Sequence, residues 1–405
     1  MTSRERIGKL LRGEPTDRIP NGLMGCETAS VHMLAYDKLK KLFGVKNKRN
    51  RLFSFMFNAV PEIEFLEKAG CDIIPLSTKL SPAPFWKDIE KNWKDESLFG
   101  ITVQVPNSYH FRHNADGSTD WTDVGWHCPA GGLYFEEVPK EDDTDLDEIT
   151  PDGFDPPKHL PEEYLRSLEE QAKFLYETTD FAISIGETIF DLQVAPGGYV
   201  NHFMYMALYP ERMKEFLAKS LEAAKSNLIE VDQAVGKYCQ IMGIAHDFGN
   251  NNDVMIGPQM WREIYKPFYK ELFGFWHAHT GMKVNLHSCG SLHSILPDLI
   301  EAGVDILNPV QLCAKGMDSK TLSEEFGDRI IFYGGGFDSV ACVGKTPEQV
   351  YENCRKDIER HSSNGQYIFP GVHKLPGHIS PDRQHATSPL LPAQTLGSTR
   401  TNLKP

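Results

Sequence analysis

His287 and Cys289 stand two residues apart in "KVNLHSCGS" (283–291), where an apolar run meets a glycine. Side chains at i and i+2 along a strand share a face, so an imidazole and a thiol project together from the end of that run. Three chemistries fit the pair. Imidazole and thiolate are standard ligands for zinc, whose catalytic sites take three protein ligands and keep a fourth position open. His373, in the turn "PGVHKLP" (370–376), supplies a third donor. A thiol beside its base is a nucleophile, although two groups held parallel on one strand do not readily bring the ring nitrogen onto the sulfur. A satisfied histidine next to a small buried cysteine is also ordinary packing. The pair alone leaves all three open.

Other polar residues close apolar runs in the same way: Cys26 and Glu27, Glu187, His246 and Asp247 in "AHDFGNNND", Asn308 and Gln311, and Asp338 after three glycines. Glu187, His246 and Asp247 are candidates for proton transfer or for orienting a ligand. Asn308, Gln311 and Asp338 are candidates for binding substrate. A carboxylate in such a place can instead cap a following helix. Trp261, Tyr265, Phe268 and Tyr269 recur at helical spacing, which reads as core packing. The glycines 334–336 would let a phosphate approach the backbone, but with no basic partner beside them close packing is the better reading.

Something must bring these run ends to one place. Eight short apolar runs bounded by Gly, Pro or Asn read as buried strands. They begin at Ile19, Cys71, Phe181, Cys239, Lys283, Asp305, Arg329 and Gln366, with helix-patterned segments such as "PERMKEFLAKSLEAAKSNLIEVDQAVG" between them. Continuous apolar strands alternating with helices make a parallel sheet covered by helices. Eight units predict an α/β fold of the closed (β/α)8, or TIM, barrel kind, in which functional side chains gather at the C-terminal strand ends. No Gly-x-Gly-x-x-Gly turn follows any strand to suggest a dinucleotide site. "EKAGCDIIP" (67–75) and "IEAGVDILNP" (300–309) echo each other, each ending a helix with Ala-Gly and opening a strand with Asp-Ile. From about 81 to 157 the rhythm breaks into hairpin signals ("GITVQV", "STDWTDVGW", "GGLYFEEV") and an acidic connection. These predict a β-rich insertion after the second strand. One domain is expected over 1–380, and the proline-rich 381–405 reads as an unstructured tail.

Composition narrows the partners. A net charge of -14 argues against nucleic acid, because neutralising phosphates takes clustered Lys and Arg. The N-terminus has no apolar signal region, and no stretch reaches the roughly 18 apolar residues of a membrane helix. The eight cysteines (26, 71, 128, 239, 289, 313, 342 and 354) follow no framework spacing. All but Cys289 read as small buried hydrophobes in a reducing, cytoplasmic setting.

The chain resembles the uroporphyrinogen decarboxylase superfamily, and within it the zinc- and corrinoid-dependent methyltransferase branch. The residues that carry the resemblance are "LRGEPTDRIP" (11–20), the stretch 265–311 around "NLHSCGSLHSILPDLIEAGVDILNPVQ", "FGDRIIFYGGGFDS" and "GVHKLP". The resemblance implies a (β/α)8 barrel and a zinc bound by the His-x-Cys pair plus a ligand near the last strand. That third ligand is commonly a Cys in the branch, and here His373 takes its turn. It further implies methyl transfer between a small methylated substrate or a thiol and a corrinoid carried by a partner protein. Uroporphyrinogen decarboxylases themselves carry an arginine-rich stretch after the first strand. The corresponding "NGLMGCETASVHM" (21–33) has no arginine, although a substrate with eight carboxylates needs charge-assisted pairing. Decarboxylation of the porphyrinogen type, without metal, and a non-catalytic ligand-binding barrel are the alternative readings.

Overall fold

The computed structural model describes residues 1–46, 49–53, 57–76, 91–138, 145–186, 192, 194–196, 198–371 and 373–377. A short antiparallel pair, β1 (Leu52–Phe53) and β2 (Asn58–Ala59), precedes β3 (Ile73–Pro75). Then come a hairpin, β4 (Trp93–Leu98) with β5 (Ile101–Pro106), and a four-stranded antiparallel sheet, β6 (Phe111–His113), β7 (Thr119–Trp121), β8 (Trp126–Cys128) and β9 (Glu136–Glu137). The remaining strands are β10 (Ala182–Ile185), β11 (Ile241–Ala245), β12 (Lys283–His287), β13 (Ile306–Asn308), β14 (Ile331–Tyr333) and β15 (Tyr367–Ile368). With β3 they form one parallel sheet in the order β15-β14-β13-β12-β11-β10-β3. The expectation of a mixed α/β, TIM-like architecture holds.

The helices are α1 (Ser3–Leu11), α2 (Met33–Leu42), α3 (Ile63–Lys68), α4 (Glu162–Thr178), α5 (Gly198–Leu208), α6 (Pro210–Val235), α7 (Pro258–Ile264), α8 (Lys266–His279), α9 (Leu296–Ala302), α10 (Ser319–Phe326) and α11 (Pro347–His361). Their starts and faces follow from sequence. In α6, Pro210 occupies the first turn, and Met213, Leu217, Leu221, Leu228 and Val235 are buried, the stripe an amphipathic helix lays on its neighbours. Thr346 and Gln349 close a capping box at the start of α11, satisfying two otherwise orphaned N–H groups.

Two cores result. The larger lies between sheet and helices. The smaller takes residues from six of the seven strands of the parallel sheet (Ile73, Ala182, Ile241, Ile306, Ile331 with Tyr333, Ile368) together with Ile7 and Leu10 of α1. Strand side chains alternate between faces, so these isoleucines mark the concave face of the curled sheet, and α1 plugs it.

The repeated Ala-Gly-x-Asp unit performs the same task twice. Gly70 and Gly303 both adopt positive φ, 65° and 109°, which only glycine takes without strain at a helix C-terminus. The aspartates that follow reach back to a neighbouring segment. Asp72 accepts the Asn21 N–H at 2.7 Å and Asp305 accepts the Val284 N–H at 2.9 Å.

The first expected strand, beginning at Ile19, is not a strand. Asn21 alone pairs with Phe369, while its carbonyl accepts the Asp72 N–H at 2.6 Å. Residues 20–22 therefore touch both edge strands of the sheet. The reason the segment goes no further is local. Pro20 has no N–H to give, the Tyr333 hydroxyl occupies the Gly22 carbonyl, and Met24 turns the chain with φ of 60°. The hairpins expected between 81 and 157 appear as β4 to β9, though 81–90 and 139–144 lie outside the described residues, as does the expected tail at 381–405. Among the described residues no helix is long and apolar enough to cross a membrane.

Candidate metal centre

Register settles which strand-end residues meet. His287 pairs with Ala245 on one side and Asn308 on the other. Ile241 and Ile306 face the concave core, so Ala245, Asp247 and Asn308 share that face, and His287 and Cys289 fall in the same rows. Among the described residues one group of three converges closely enough to hold a metal ion: His287, Cys289 and His373, with donor atoms all within 4.8 Å of one another. The Cys289 sulfur lies 3.6 Å from His287 Nε2. A tetrahedral zinc with ordinary Zn–S and Zn–N bonds would separate the two donors by about 3.6 Å. Burial, with His287 and Lys374 beside it, pulls the His373 pKa down to about 3. The ring stays neutral, which is the ligating form. The donor set fits zinc.

The loops that carry the donors are pinned to one another. A Cβ on Gly290 would come within 2.3 Å of the Gly249 backbone, and one on Gly249 within 2.8 Å of the Cys289 carbonyl. Gly290 also sits at φ of 88°. Only glycine at both places allows this close approach of the β11 and β12 loops. Asp247 Oδ1 accepts the Cys289 N–H at 2.7 Å, and Gln311 Oε1 accepts the Gly290 N–H at 2.9 Å. Ser288 Oγ accepts the Phe248 N–H at 3.0 Å. The sulfur is therefore aimed by backbone hydrogen bonds from both neighbouring loops.

The other expected site residues divide. Asp247 belongs to the cluster: its Oδ1 lies 3.7 Å from His287 Nε2, and its side chain is 44% exposed. His246 does not. It is one residue out of phase, on the helix-facing side, where its Nδ1 meets the Tyr269 hydroxyl at 2.7 Å. Burial, with His202 adding, takes its pKa down to about 3. Asn308 contacts His287 Nδ1 at 3.0 Å. Gln311 joins three loops, since its Nε2 also donates to Asn251 Oδ1 at 2.8 Å. Asp338 accepts the N–H groups of Val340 and Ala341 and so caps its own turn. Glu187 lies outside the described residues. Gly335 and Gly336 are packed against Val310, His361, Tyr367 and Phe369, in keeping with the close-packing reading. Cys313 departs from the expectation for the cysteines, being exposed at the end of β13, where its sulfur lies 3.6 Å from Gln311 Nε2.

Sequence reasoning missed Thr28, whose hydroxyl donates to Asn308 Oδ1 at 2.7 Å. It also missed Lys374, whose ammonium sits 4.4 Å from the Tyr134 ring centre. Burial lowers the Lys374 pKa to about 8 against the pull of Glu27. His202 was missed too. It bonds Tyr265 at 2.9 Å and lines a narrow cleft with His246, Asp247 and Phe248. The "HSCG" and "DFGN" glycines were the available signal for the loop contact. Nothing local in "CETAS" marked Thr28.

Residues 194–388, which include all three donors, match the family Uroporphyrinogen decarboxylase (URO-D). The match covers somewhat less than half of the chain. Among solved structures the chain is similar to a methyltransferase from Methanosarcina mazei, with a TM-score of 0.54 at 14% identity, over 95% of this chain and 97% of that one. At that identity the likeness speaks for the fold. No curated protein sequence matches the chain.

Proposed function

We propose that the protein is a zinc-dependent methyltransferase, moving a methyl group between a small methylated substrate or thiol and a corrinoid carried by a partner protein. The observation that carries the reading is the convergence of His287, Cys289 and His373 at the C-terminal strand ends, where a TIM-like fold places its chemistry. The family match and the fold shared with a methyltransferase support it. On this reading residues 20–22 complete a closed (β/α)8 barrel within a single domain over 1–380, and β4 to β9 belong to an insertion over or beside its mouth.

Bound zinc supplies Lewis acidity to the heteroatom that accepts or gives up the methyl group. The chain's own residues do the rest. Cys289, His287 and His373 would hold the metal. Asp247 spends one oxygen on the Cys289 N–H, which leaves the other to orient the substrate or pass a proton to a leaving group. His246, already bonded to Tyr269, acts in this reading only by packing. Porphyrinogen decarboxylation has the family match in its favour, but residues 21–33 carry no arginine to meet its carboxylates. Arg6 and Arg18 are spent on Asp72 below the other end of the sheet.

Metal analysis of wild type and Cys289→Ser tests the reading. About one zinc per chain in the first and little in the second is expected; equally low zinc in both removes it. Methylcobalamin with thiols, or reduced cobalamin with methoxylated aromatics, can then be followed by the visible spectrum. Asp247→Asn should slow the turnover ~10²- to 10⁴-fold with zinc retained. Loss of zinc in that variant makes Asp247 a ligand instead.

A further inference from the structure

The sequence suggested Asn308 as a substrate-binding residue, yet every polar atom of its side chain is engaged within the protein. Its Nδ2 donates to the Tyr333 carbonyl at 3.1 Å. A carbonyl can only accept, which fixes the way the amide faces. Oδ1 then points at Thr28 Oγ1, 2.7 Å away, and at His287 Nδ1, 3.0 Å away. Since an amide oxygen can only accept, His287 Nδ1 must carry the hydrogen. In the neutral ring, the form that ligates a metal, the one N–H is then on Nδ1 and the lone pair on Nε2, the atom 3.6 Å from the Cys289 sulfur. Behind Thr28 stands Cys26, whose sulfur lies 3.6 Å from the hydroxyl. Asn308 and Thr28 are 2% and 4% exposed, so water does not compete for these bonds, and in such surroundings hydrogen bonds are electrostatically stronger than in water.

We infer that Asn308, backed by Thr28 and anchored on the Tyr333 carbonyl, is a positioning residue that locks His287 in the Nδ1–H tautomer and so presents Nε2 for metal binding. The inference rests on the proposed metal site, but the tautomer can be read without any metal. With the oxygen gone, the Nδ1–H loses its Asn308 acceptor. The other tautomer closes Nε2 to a cation, and loss of such an orienting partner typically weakens metal binding 10- to 100-fold.

The test compares wild type, Asn308→Leu, Asn308→Asp and Thr28→Val. Zinc affinity is measured by competition with a chromophoric chelator. The imidazole ¹⁵N–¹H signals of the metal-free proteins are recorded alongside, with those of His287 assigned by their absence in His287→Gln. Asn308→Leu should bind zinc about 10- to 100-fold more weakly and lose the Nδ1–H signature. Asn308→Asp keeps the acceptor and should recover most of the affinity. Thr28→Val should show a smaller loss of the same kind. A folded Asn308→Leu with wild-type affinity and an unchanged tautomer overturns the inference. If that variant does not fold, Thr28→Val and Asn308→Asp decide in the same way. If wild type takes up no zinc, the metal reading fails and the tautomer alone decides here: Nδ1–H in wild type supports the lock, and Nε2–H refutes it.

Discussion

Below the N-terminal end of the sheet, Asp72 receives Arg6 Nη1 and Arg18 Nη1 at 2.6 Å each and the Asn21 N–H at 2.7 Å. It is fully buried. Asp305 repeats the arrangement one-half sheet away, with Lys283 at 2.9 Å and His277 at 2.7 Å. Burial pushes the Asp305 pKa up, but these hydrogen bonds outweigh it and hold it below the usual carboxylate value. At the C-terminal end the rule changes. His287, Cys289 and His373 bring their donor atoms within 4.8 Å of one another, and Asp247 Oδ1 stands 3.7 Å from His287 Nε2. One end uses charge to tie segments together; the other keeps lone pairs directed at a common point. In a barrel-like sheet that division separates the anchoring end from the end that does chemistry.

The sharpest way to break the comparison is to remove the anchor. Asp72→Ala leaves Arg18 without its carboxylate and Arg6 with Asp17 alone. Losing one partner of a buried ion pair costs about 3–5 kcal/mol, and the surviving Asp17 contact argues for the lower end of that range. Urea unfolding at neutral pH should show the loss as a lower midpoint with an unchanged slope, while zinc per folded chain stays at the wild-type level. A change under about 1 kcal/mol, the worth of a surface pair, would mean that the triad contributes no more than exposed charges do.

How far these ends could be read from the sequence depends on the range of the signal. The His-x-Cys spacing carried its own geometry, because strand alternation is a local rule, and the same rule places Asp247 inward and His246 outward. Applied to "IAHDF", alternation separates the two; reading both as rim residues overlooked it. The Ala-Gly-x-Asp echo was legible as a helix end and a strand start, but its arginine partners lie 66 and 54 residues away in the chain. Thr28 is 280 residues from Asn308, and no periodicity connects them. The first strand failed for a different reason: "IPNGLMG" has the composition of a buried strand, but Pro20 cannot donate and Tyr333 takes the Gly22 carbonyl. Tertiary contacts decided there.

Acid should attack the two ends in different ranges, and His361 measures the difference. The ring packs against the glycine run that leaves β14, with Nε2 3.0 Å from where a Cβ on Gly335 would stand, and stacks on Tyr367. Among the described residues neither of its nitrogens has a hydrogen-bond partner. Burial lowers its pKa from 6.5 to about 4, with Asp318 opposing and Arg360 adding. Above pH 6.5 the ring is neutral whether the chain is folded or not, so stability does not vary with it. Between 6.5 and about 4 the unfolded chain takes up a proton that the folded one refuses. Stability therefore falls with pH across that window, by about 1.4 kcal/mol per unit for one such group. At the other end Asp17 is held down to about 2 by the hydrogen bond from Arg6. Its contribution is complete above the ordinary carboxylate pKa and disappears only as pH drops through about 2. His361→Leu removes the acid liability and leaves the N-terminal anchor alone. Between pH 7 and pH 5 the variant should lose about 2 kcal/mol less than wild type in urea unfolding. Parallel losses in the two proteins would mean that His361 takes up its proton in the folded state, and that acid does not distinguish the two ends in this range.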